Sequence, residues 1–310
     1  MSSLKENITC LANHEIDKQK WDQCINNSEN GTVYAGSSYL DAMSRNWDAL
    51  VMNDYEAVMP LPWNKKYGIR YLYQPNFVRH TGIFGNNTGD EITDAFFSSI
   101  PKHFKYWDID LKEYIDPGRT YLKGLVIKKR RNLFLDISRK YEEISKDYKR
   151  LAKRMLAKAN ENKIEISENG STEEVIGFYK KNYSHRQNIS DTDYTNLVKA
   201  AGVLLHEGKA AAYLAKSPEG TTIAVYLVLK DKRFIYSLLG GSNKKGKETG
   251  AFYLLTDTVI KDHSASERIF RFEGSDKKGI ALFNSQFSPA AVDYYHLKMN
   301  KLPWPAKLLK

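Results

Sequence analysis

The chain has 310 residues and a formal net charge of +10, and 42 % of its residues are hydrophobic. This length suits two domains of about 150 residues, and the apolar share excludes a disordered chain. Apolar runs are far shorter than the roughly 20 residues of a bilayer-spanning helix, and the first residues lack the apolar core of a signal peptide. We therefore expect a cytoplasmic protein without a membrane span, whose charge favours anionic partners.

The sequence offers few residues for disulfide bonds or for metal binding. Cys10 and Cys24 cannot by themselves build a disulfide framework or a structural zinc site, which takes about four ligands. The seven histidines show no spacing typical of a metal-binding helix. We expect no metal cofactor.

The first half of the chain alternates short helices and strands. The residue pattern predicts helices at 16–26, 39–44 and 91–100, strands at 49–52, 56–61, 70–73 and 106–111, and extended segments at 76–84, 121–127 and 133–137. A glycine-bearing turn at 85–89 precedes the helix at 91–100. Asp90 and Glu91 complement that helix N-terminus themselves and would repel phosphate.

The second half begins with helices and continues with a sheet. It predicts helices at 141–161, 173–183 and 193–206, strands at 210–215, 221–229 and 233–239, a glycine- and lysine-rich loop at 240–250, and then a helix at 251–262, a strand at 268–272, a helix at 279–287 and a strand at 292–297. The helical crossover between 233–239 and 268–272 predicts a parallel pair in an otherwise antiparallel sheet. Because both halves place a glycine-bearing turn before a helix, we expect an α+β fold containing two copies of one unit.

The second-half order resembles the GNAT acyltransferase fold. Three sets of residues resemble its FemAB-like branch, which includes peptidyltransferases that use aminoacyl-tRNA: 272–275 with 279–283 and Phe287, the basic segment 151–159, and Trp47 with 60–62 and 82–84. The resemblance implies two tandem GNAT-like repeats, each a mixed, mostly antiparallel sheet flanked by helices. They would lie at 1–134, a degenerate copy, and 135–310, which would carry the acyl-donor site.

The loop at 240–250 is the candidate donor site for acyl-CoA, with acetyl-CoA as the simplest case. Backbone N–H groups in the first turn of a helix bind anions, and glycines let the backbone approach them closely. The predicted donor-binding residues are Leu239, Gly240, Gly241, Lys245, Gly246, Lys247, Gly250 and Ala251. The alternative interpretation is a solvated loop whose lysines only add charge.

Amide-forming acyl transfer needs a base for the amine and an acid for the leaving group. In the resembled fold, Glu273 follows the strand after the phosphate-binding helix, where its carboxylate would take the proton of the amine. Tyr236 and Tyr294 are candidate proton donors, and His296 is a further candidate base. A pairing of Glu273 with Arg271 would explain the same carboxylate structurally.

Two further groups of residues concern the substrates. His185 and Arg186 lie between predicted helices and are the acceptor-side candidates, for a small-molecule or peptide amine. A positive stripe on the helix at 141–161, with one cation every four residues, would follow the phosphates of tRNA; it consists of Lys146, Arg150, Arg154 and Lys158. A solvated helix face is the other interpretation of this stripe.

Together these features favour an N-acyltransferase that moves an acyl group from acyl-CoA to an amine acceptor. One alternative is a FemAB-like transferase that takes its aminoacyl group from aminoacyl-tRNA. The other is a non-catalytic binding or scaffold protein, because residues 247–252 meet the GNAT phosphate-loop pattern only in part.

Overall fold

A computed structural model of the chain describes residues 7–86, 88–111, 124–186, 189–304 and 307. The chain divides into two compact units. Unit 1 comprises Met1–Arg130 and Asp293–Lys310, and unit 2 comprises Arg131–Val292. The sequence placed a boundary at residue 134 and kept the C-terminal segment with the second domain, whereas the structure groups that segment with unit 1. Of the helices described, none is long and apolar enough to cross a membrane.

Most of the elements follow the chain in the predicted order. Unit 1 begins with β1 (Ile8–Leu11), α1 (Lys18–Asn27), α2 (Ser37–Met43), β2 (Asn46–Met52), β3 (Ala57–Lys66), β4 (Ile69–Tyr73), β5 (Phe84–Gly85), α3 (Asp90–Ser99) and β6 (Tyr106–Leu111). β7 (Leu125–Asp136) leads into unit 2, which contains α4 (Tyr141–Lys146), α5 (Arg150–Glu161), β8 (Glu165–Ser167), α6 (Thr172–Tyr183), α7 (Asp191–His206), β9 (Ala210–Lys216), β10 (Thr222–Lys230), β11 (Phe234–Ser242), α8 (Lys244–Thr249), α9 (Ala251–His263), β12 (Ile269–Phe272) and α10 (Lys278–Asn284). The last strand, β13 (Ala290–Asn300), returns the chain to unit 1.

Each unit contains a run of hydrogen-bonded strands with mixed directions. In unit 1 the order is β1-β2-β3-β4-β6-β13, and in unit 2 it is β8-β9-β10-β11-β12-β7. One neighbouring pair in each run is parallel, β4 with β6 and β11 with β12, and the other neighbours in these two orders are antiparallel. A helix, α3 or α9, connects each parallel pair. The predicted fold class and the predicted parallel pair in the second half are confirmed.

The alternation of side chains along a strand determines which buried cluster each residue joins. In unit 1, Leu50 and Met52 of β2 belong to one buried cluster, whereas Ala49 and Val51 belong to another, as expected when successive side chains point to opposite faces. In unit 2, every residue of β10 from 223 to 229 is buried, which explains why this strand is continuously apolar.

The predicted helix at 141–161 is wrong in one respect, because the chain breaks between α4 and α5. The backbone N–H of Lys149 donates to the carbonyl of Gln286 at 2.9 Å, and the Ser288 hydroxyl donates to the carbonyl of Asp147 at 2.6 Å. Tyr148 is buried between them. Hydrogen bonds to a distant segment therefore replace those that a continuous helix would make, and Lys146 lies on a different helix from the other cations of the predicted stripe.

The predicted loop at 240–250 is also corrected. β11 extends to Ser242, and α8 follows it. The Asn243 side chain caps α8 by accepting from the N–H of Gly246 at 2.9 Å, and Gly250 ends α8 in the left-handed region at φ 79°. The same Gly250 precedes the first residue of α9, so two helices meet at one glycine.

Smaller corrections concern element ends. α7 begins at Asp191, two residues before the predicted helix at 193–206, and is capped by Ser190. The short edge strands β1 and β8 were not predicted. Residues 121–123 of the predicted extended segment lie outside the described residues. Cys10 and Cys24 are both free thiols.

Candidate active site

The parallel strands of unit 2 separate after a short contact. β12 pairs with β11 through residues 234–236 of β11, and β11 then continues alone on that side to Ser242. The register between β10 and β11 shifts between Leu227 and Val228, which leaves Leu238 as an extra residue in β11. By register, Glu273 follows the end of β12 at this separation. Glu273, at the end of β12, and the start of the predicted donor segment, at the end of β11, therefore lie in the same region of unit 2.

Aromatic side chains fill the space beside the two glycines of β11. A Cβ on Gly240 would meet the ring of Phe252 at 2.7 Å, and a Cβ on Gly241 would meet the ring of Tyr183 at 2.5 Å. The Tyr183 hydroxyl donates to the carbonyl of Ser242 at 2.8 Å and accepts from its N–H at 3.0 Å. Leu239 is buried in the β10–β11 ladder. Glycine is thus needed at 240 and 241 for protein packing.

The N-terminus of α9 is packed against α5. The carbonyl oxygen of Met155 lies against Gly250, inside the distance that a Cβ would require, and Ala251 is fully buried. The N–H of Gly250 donates to the carbonyl of Gly246, while Gly246 itself packs on the carbonyl of Ile223. The predicted donor-binding residues Gly246, Gly250 and Ala251 therefore lie together, and other protein atoms already fill the space beside the two glycines.

The lysines of this segment are engaged with neighbouring groups. Lys245 forms an ion pair with Glu219 at 2.7 Å. The hydrogen bond from Lys245 is the main cause that lowers the pKa of the Glu219 carboxyl to about 2. The ammonium of Lys247 lies 5.7 Å from the centre of the Tyr183 ring.

Glu273 lies in a buried polar cluster. One carboxylate oxygen lies 3.2 Å from Nε of Arg271, and the other accepts from the Asn132 side chain at 2.9 Å. The side chains of Glu273 and Arg271 are each 2 % exposed. The Arg271 guanidinium also lies 4.8 Å from the centre of the Phe134 ring. The structural interpretation of Glu273 offered by the sequence, a pair with Arg271, is thus present.

The two predicted tyrosine acids fall in different units. Tyr236 of unit 2 is fully buried, and its hydroxyl donates to Asp231 at 2.5 Å. Tyr294 belongs to unit 1, where its ring lies 4.9 Å from that of His80. In the same unit, Nδ1 of His296 lies 2.8 Å from a carboxylate oxygen of Asp110.

The acceptor-side candidates follow α6. His185 is exposed in a single turn of 3-10 helix at Ser184–Arg186. Arg186 ends this turn, and the placement of its side chain lies outside the description.

The positive stripe is partly retained on α5. Arg150, Arg154 and Lys158 are exposed on this helix. Within the described residues, none of the three has a carboxylate partner. Arg154 lowers the pKa of Tyr253 while burial, the larger effect, raises it, so the guanidinium lies near the first turn of α9. Three exposed cations therefore remain on α5, and Arg154 among them lies near the helix N-terminus that the sequence linked to phosphate.

A buried acid on α9 was missed by the sequence analysis. Both carboxylate oxygens of Asp257 accept from the Tyr141 hydroxyl, at 2.9 and 2.8 Å. Burial raises the pKa of Asp257, and the hydrogen bond from Tyr141 opposes that effect. The available signal was an acid between Leu254 and Ile260, which precede and follow it by three residues on the predicted helix at 251–262.

Comparison with known proteins places the fold. No protein-family model matches the chain, and no curated protein matches it in sequence. Among solved structures, FemX is similar with a TM-score of 0.68 and 14 % identity, over 95 % of this chain and 98 % of FemX. L-PGS from Bacillus licheniformis has a TM-score of 0.57 and 11 % identity, over 94 % of this chain and 95 % of that one. A tandem GNAT protein from the clavulanic acid biosynthesis pathway has a TM-score of 0.53 and 10 % identity, over 96 % and 98 %.

These similarities extend over nearly the whole chain. The chain therefore has the fold of FemX and of a tandem GNAT protein, as the resemblance of the sequence to the FemAB-like branch predicted.

Proposed function

We propose that this protein is an acyltransferase that moves an aminoacyl group from aminoacyl-tRNA to an amine. The observation that carries the proposal is the fold shared with FemX along both chains, together with the strand separation at Leu238. In a separated parallel pair, strand N–H groups that leave the ladder can polarise a carbonyl, which is the electrostatic help that acyl transfer needs.

The packing at Gly250 favours RNA over coenzyme A as the carrier. A pyrophosphate needs open N–H groups at a helix N-terminus. The Met155 carbonyl lies against Gly250 at that helix N-terminus, whereas Arg150, Arg154 and Lys158 present exposed charge on α5. Exposed cations spread along a helix suit an extended polyanion better than a single pyrophosphate.

We assign proton transfer from the acceptor amine to Glu273. Its position after β12 lies at the strand separation, and a carboxylate is a competent base for an ammonium group. The role requires the ion pair with Arg271 to open when the acceptor binds. Tyr236 donates to Asp231 and is therefore a weaker candidate for protonating the leaving group.

The donor is tested by binding at several salt concentrations. Wild type is compared with the triple variant Arg150→Ser, Arg154→Ser, Lys158→Ser for binding of total aminoacyl-tRNA. A matched control removes three exposed lysines elsewhere, at Lys65, Lys199 and Lys232. We expect the α5 variant to bind at least about tenfold more weakly and its salt dependence to fall by a slope of about 2 to 3, with little change in the control.

Transfer itself is tested with labelled aminoacyl groups and a panel of primary amines. Enzyme-dependent loss of label from tRNA into amide products supports the proposal. Saturable binding of acetyl-CoA, with tRNA binding unaffected by the α5 variant, would replace it with the acyl-CoA reaction. Failure of both donors to bind would favour a protein that keeps the fold without the chemistry.

A further inference from the structure

A cavity of about 350 Å³ lies in unit 1, where β1 ends. β1 pairs with β2 only as far as Ala49, so residues 46–48 of β2 continue beyond it. Side chains from β2, β3 and β4 and the turn after β1 line the space. A volume of this size accommodates a small molecule.

Two of the residues that line this cavity each bury a polar atom that lacks a partner in the described part of the chain. Ser44 is only 7 % exposed, and its hydroxyl makes no hydrogen bond to any described residue. The indole Nε1 of Trp63 is also buried without a partner in the described part of the chain. By contrast, Trp21 and Trp107 donate their indole N–H groups to backbone carbonyls, at 2.8 and 2.7 Å. Folded proteins seldom leave such groups unsatisfied, so both atoms are available to a polar ligand once the side chains that cover them move.

Charges of both signs face the same space. Arg45 and Arg70 line it, and neither guanidinium has a carboxylate partner within the residues described. Arg70 lies 4.6 Å from the centre of the Trp63 ring. Asp48 also lines the cavity and forms no ion pair or hydrogen bond with the described residues. Burial and then the charge of Asp48 raise the pKa of the Cys10 thiol to about 11, as an unneutralised carboxylate would.

A second cavity, of about 490 Å³, is lined by Arg70, His103 and Lys105. Burial and then Arg70 lower the pKa of His103, and Asp48 opposes them. Arg70 therefore borders both cavities, and the cavity where β1 ends is lined by a cation, Arg70, and by the carboxylate of Asp48.

We propose that this cavity binds a small zwitterion, an amino acid or a dipeptide. Arg45 and Arg70 hold its carboxylate beside the Trp63 indole, and Asp48 holds its ammonium group. Paired opposite charges on one ligand match the paired, unneutralised charges of the wall, whereas a simple anion would leave Asp48 unsatisfied. The site lies wholly in unit 1 and does not depend on the proposed transfer reaction.

The test follows the indole N–H resonance of Trp63 in the full-length protein labelled with ¹⁵N-tryptophan, with Trp63→Phe used to assign the signal. The probes are glycylglycine, N-acetylglycine, which lacks the ammonium, and glycinamide, which lacks the carboxylate. We expect a saturable shift with glycylglycine and at least about tenfold weaker binding of the other two. The resonances of Trp21 and Trp107 should stay in place.

Variants at the cavity wall separate the two charges. Arg70→Ala should abolish the response to glycylglycine, and Asp48→Asn should remove the preference for glycylglycine over N-acetylglycine. Lys65→Ala is the control, because Lys65 is an exposed cation of β3 that does not line the cavity. An absent shift with glycylglycine, or an equal shift in Arg70→Ala, would overturn the proposal.

Discussion

The carbonyl oxygen of Met155 on α5 occupies the place that a side chain on Gly250 would need. Gly250 also has φ 79°, where residues other than glycine are strained. This contact joins the basic helix to the start of α9, so the packing of unit 2 depends on the same glycine that the sequence associates with donor binding. A bulky residue at 250 would therefore report on folding before it reported on a ligand.

We predict that Gly250→Ala lowers the free energy of unfolding by about 2 to 5 kcal/mol, from backbone strain and displacement of α5. Urea denaturation measures the change. Gly177→Ala is the matched control, because a Cβ at Gly177 in α6 meets nothing within 4 Å. That control should stabilise by about 0.5 to 1 kcal/mol, as alanine does inside helices. Equal stability of Gly250→Ala and wild type would contradict the close packing.

We predict that the hydroxyl of Tyr183 stabilises the end of β11. Tyr183→Phe removes both hydrogen bonds to the backbone of Ser242 and should cost about 1 to 3 kcal/mol in urea denaturation. Tyr67→Phe, at a side chain that is 78 % exposed, should stay within about 0.5 kcal/mol of wild type. Similar values for the two variants would mean that the Ser242 groups find other partners.

Glu273 and Arg271 should behave as a coupled pair. Glu273→Ala leaves a buried guanidinium without its carboxylate and is expected to cost about 3 to 5 kcal/mol of unfolding free energy. The double variant Arg271→Met, Glu273→Leu buries no charge and should be more stable than Glu273→Ala. A double variant whose loss equals the sum of the losses of Arg271→Met and Glu273→Leu alone would show that the pair is not coupled.

The proposed catalytic role of Glu273 is tested separately, by the rate of transfer. Glu273→Gln preserves the shape of the side chain and the hydrogen bond from Asn132, but it also removes the charge that pairs with Arg271, so urea denaturation first establishes that the variant is folded. If Glu273 takes the proton of the amine, transfer should slow by about a hundredfold or more in this variant. A folded variant with an unchanged rate would leave Glu273 a purely structural partner of Arg271.

Local sequence signals predicted most of the element order, because long apolar runs such as that of β10 leave little choice of structure. They missed β1 and β8, which are edge strands of four and three residues. They also joined α4 to α5, because nothing near Tyr148 indicates that Gln286 and Ser288 will bond to the break. The helical turn of α8 was readable in principle, from an asparagine cap and a terminal glycine.

The candidate site was harder to predict for the same reason. Asn132 and Glu273 are 141 residues apart in the chain, and their contact depends on the pairing of β7 with β12. The sequence identified the glycines at 240 and 241 but not Phe252 or Tyr183, which cover them. The position of each residue in the chain supplied the candidates for the site. Only the tertiary structure shows which of these positions are already covered by other protein atoms.

The buried acid Asp257 leads to a prediction about pH. Its pKa is raised in the folded protein, mainly by burial, so the folded state binds this proton more tightly than the unfolded state does. The resulting stabilisation is complete below the unfolded pKa of about 4 and is lost as the pH rises through the folded value. Asp257→Asn cannot titrate, so its stability relative to wild type should improve as the pH rises above about 4.

Thermal or urea unfolding of both proteins across that pH range measures this difference. Tyr141, Tyr148 and Lys261 face the carboxyl group and remain unchanged in the variant. Glu161→Gln, at an exposed side chain at the end of α5, is the control and should show no such trend. An Asp257→Asn variant that loses the same stability at every pH would indicate that the hydrogen bonds from Tyr141, rather than the buried charge, set the energetics of this cluster.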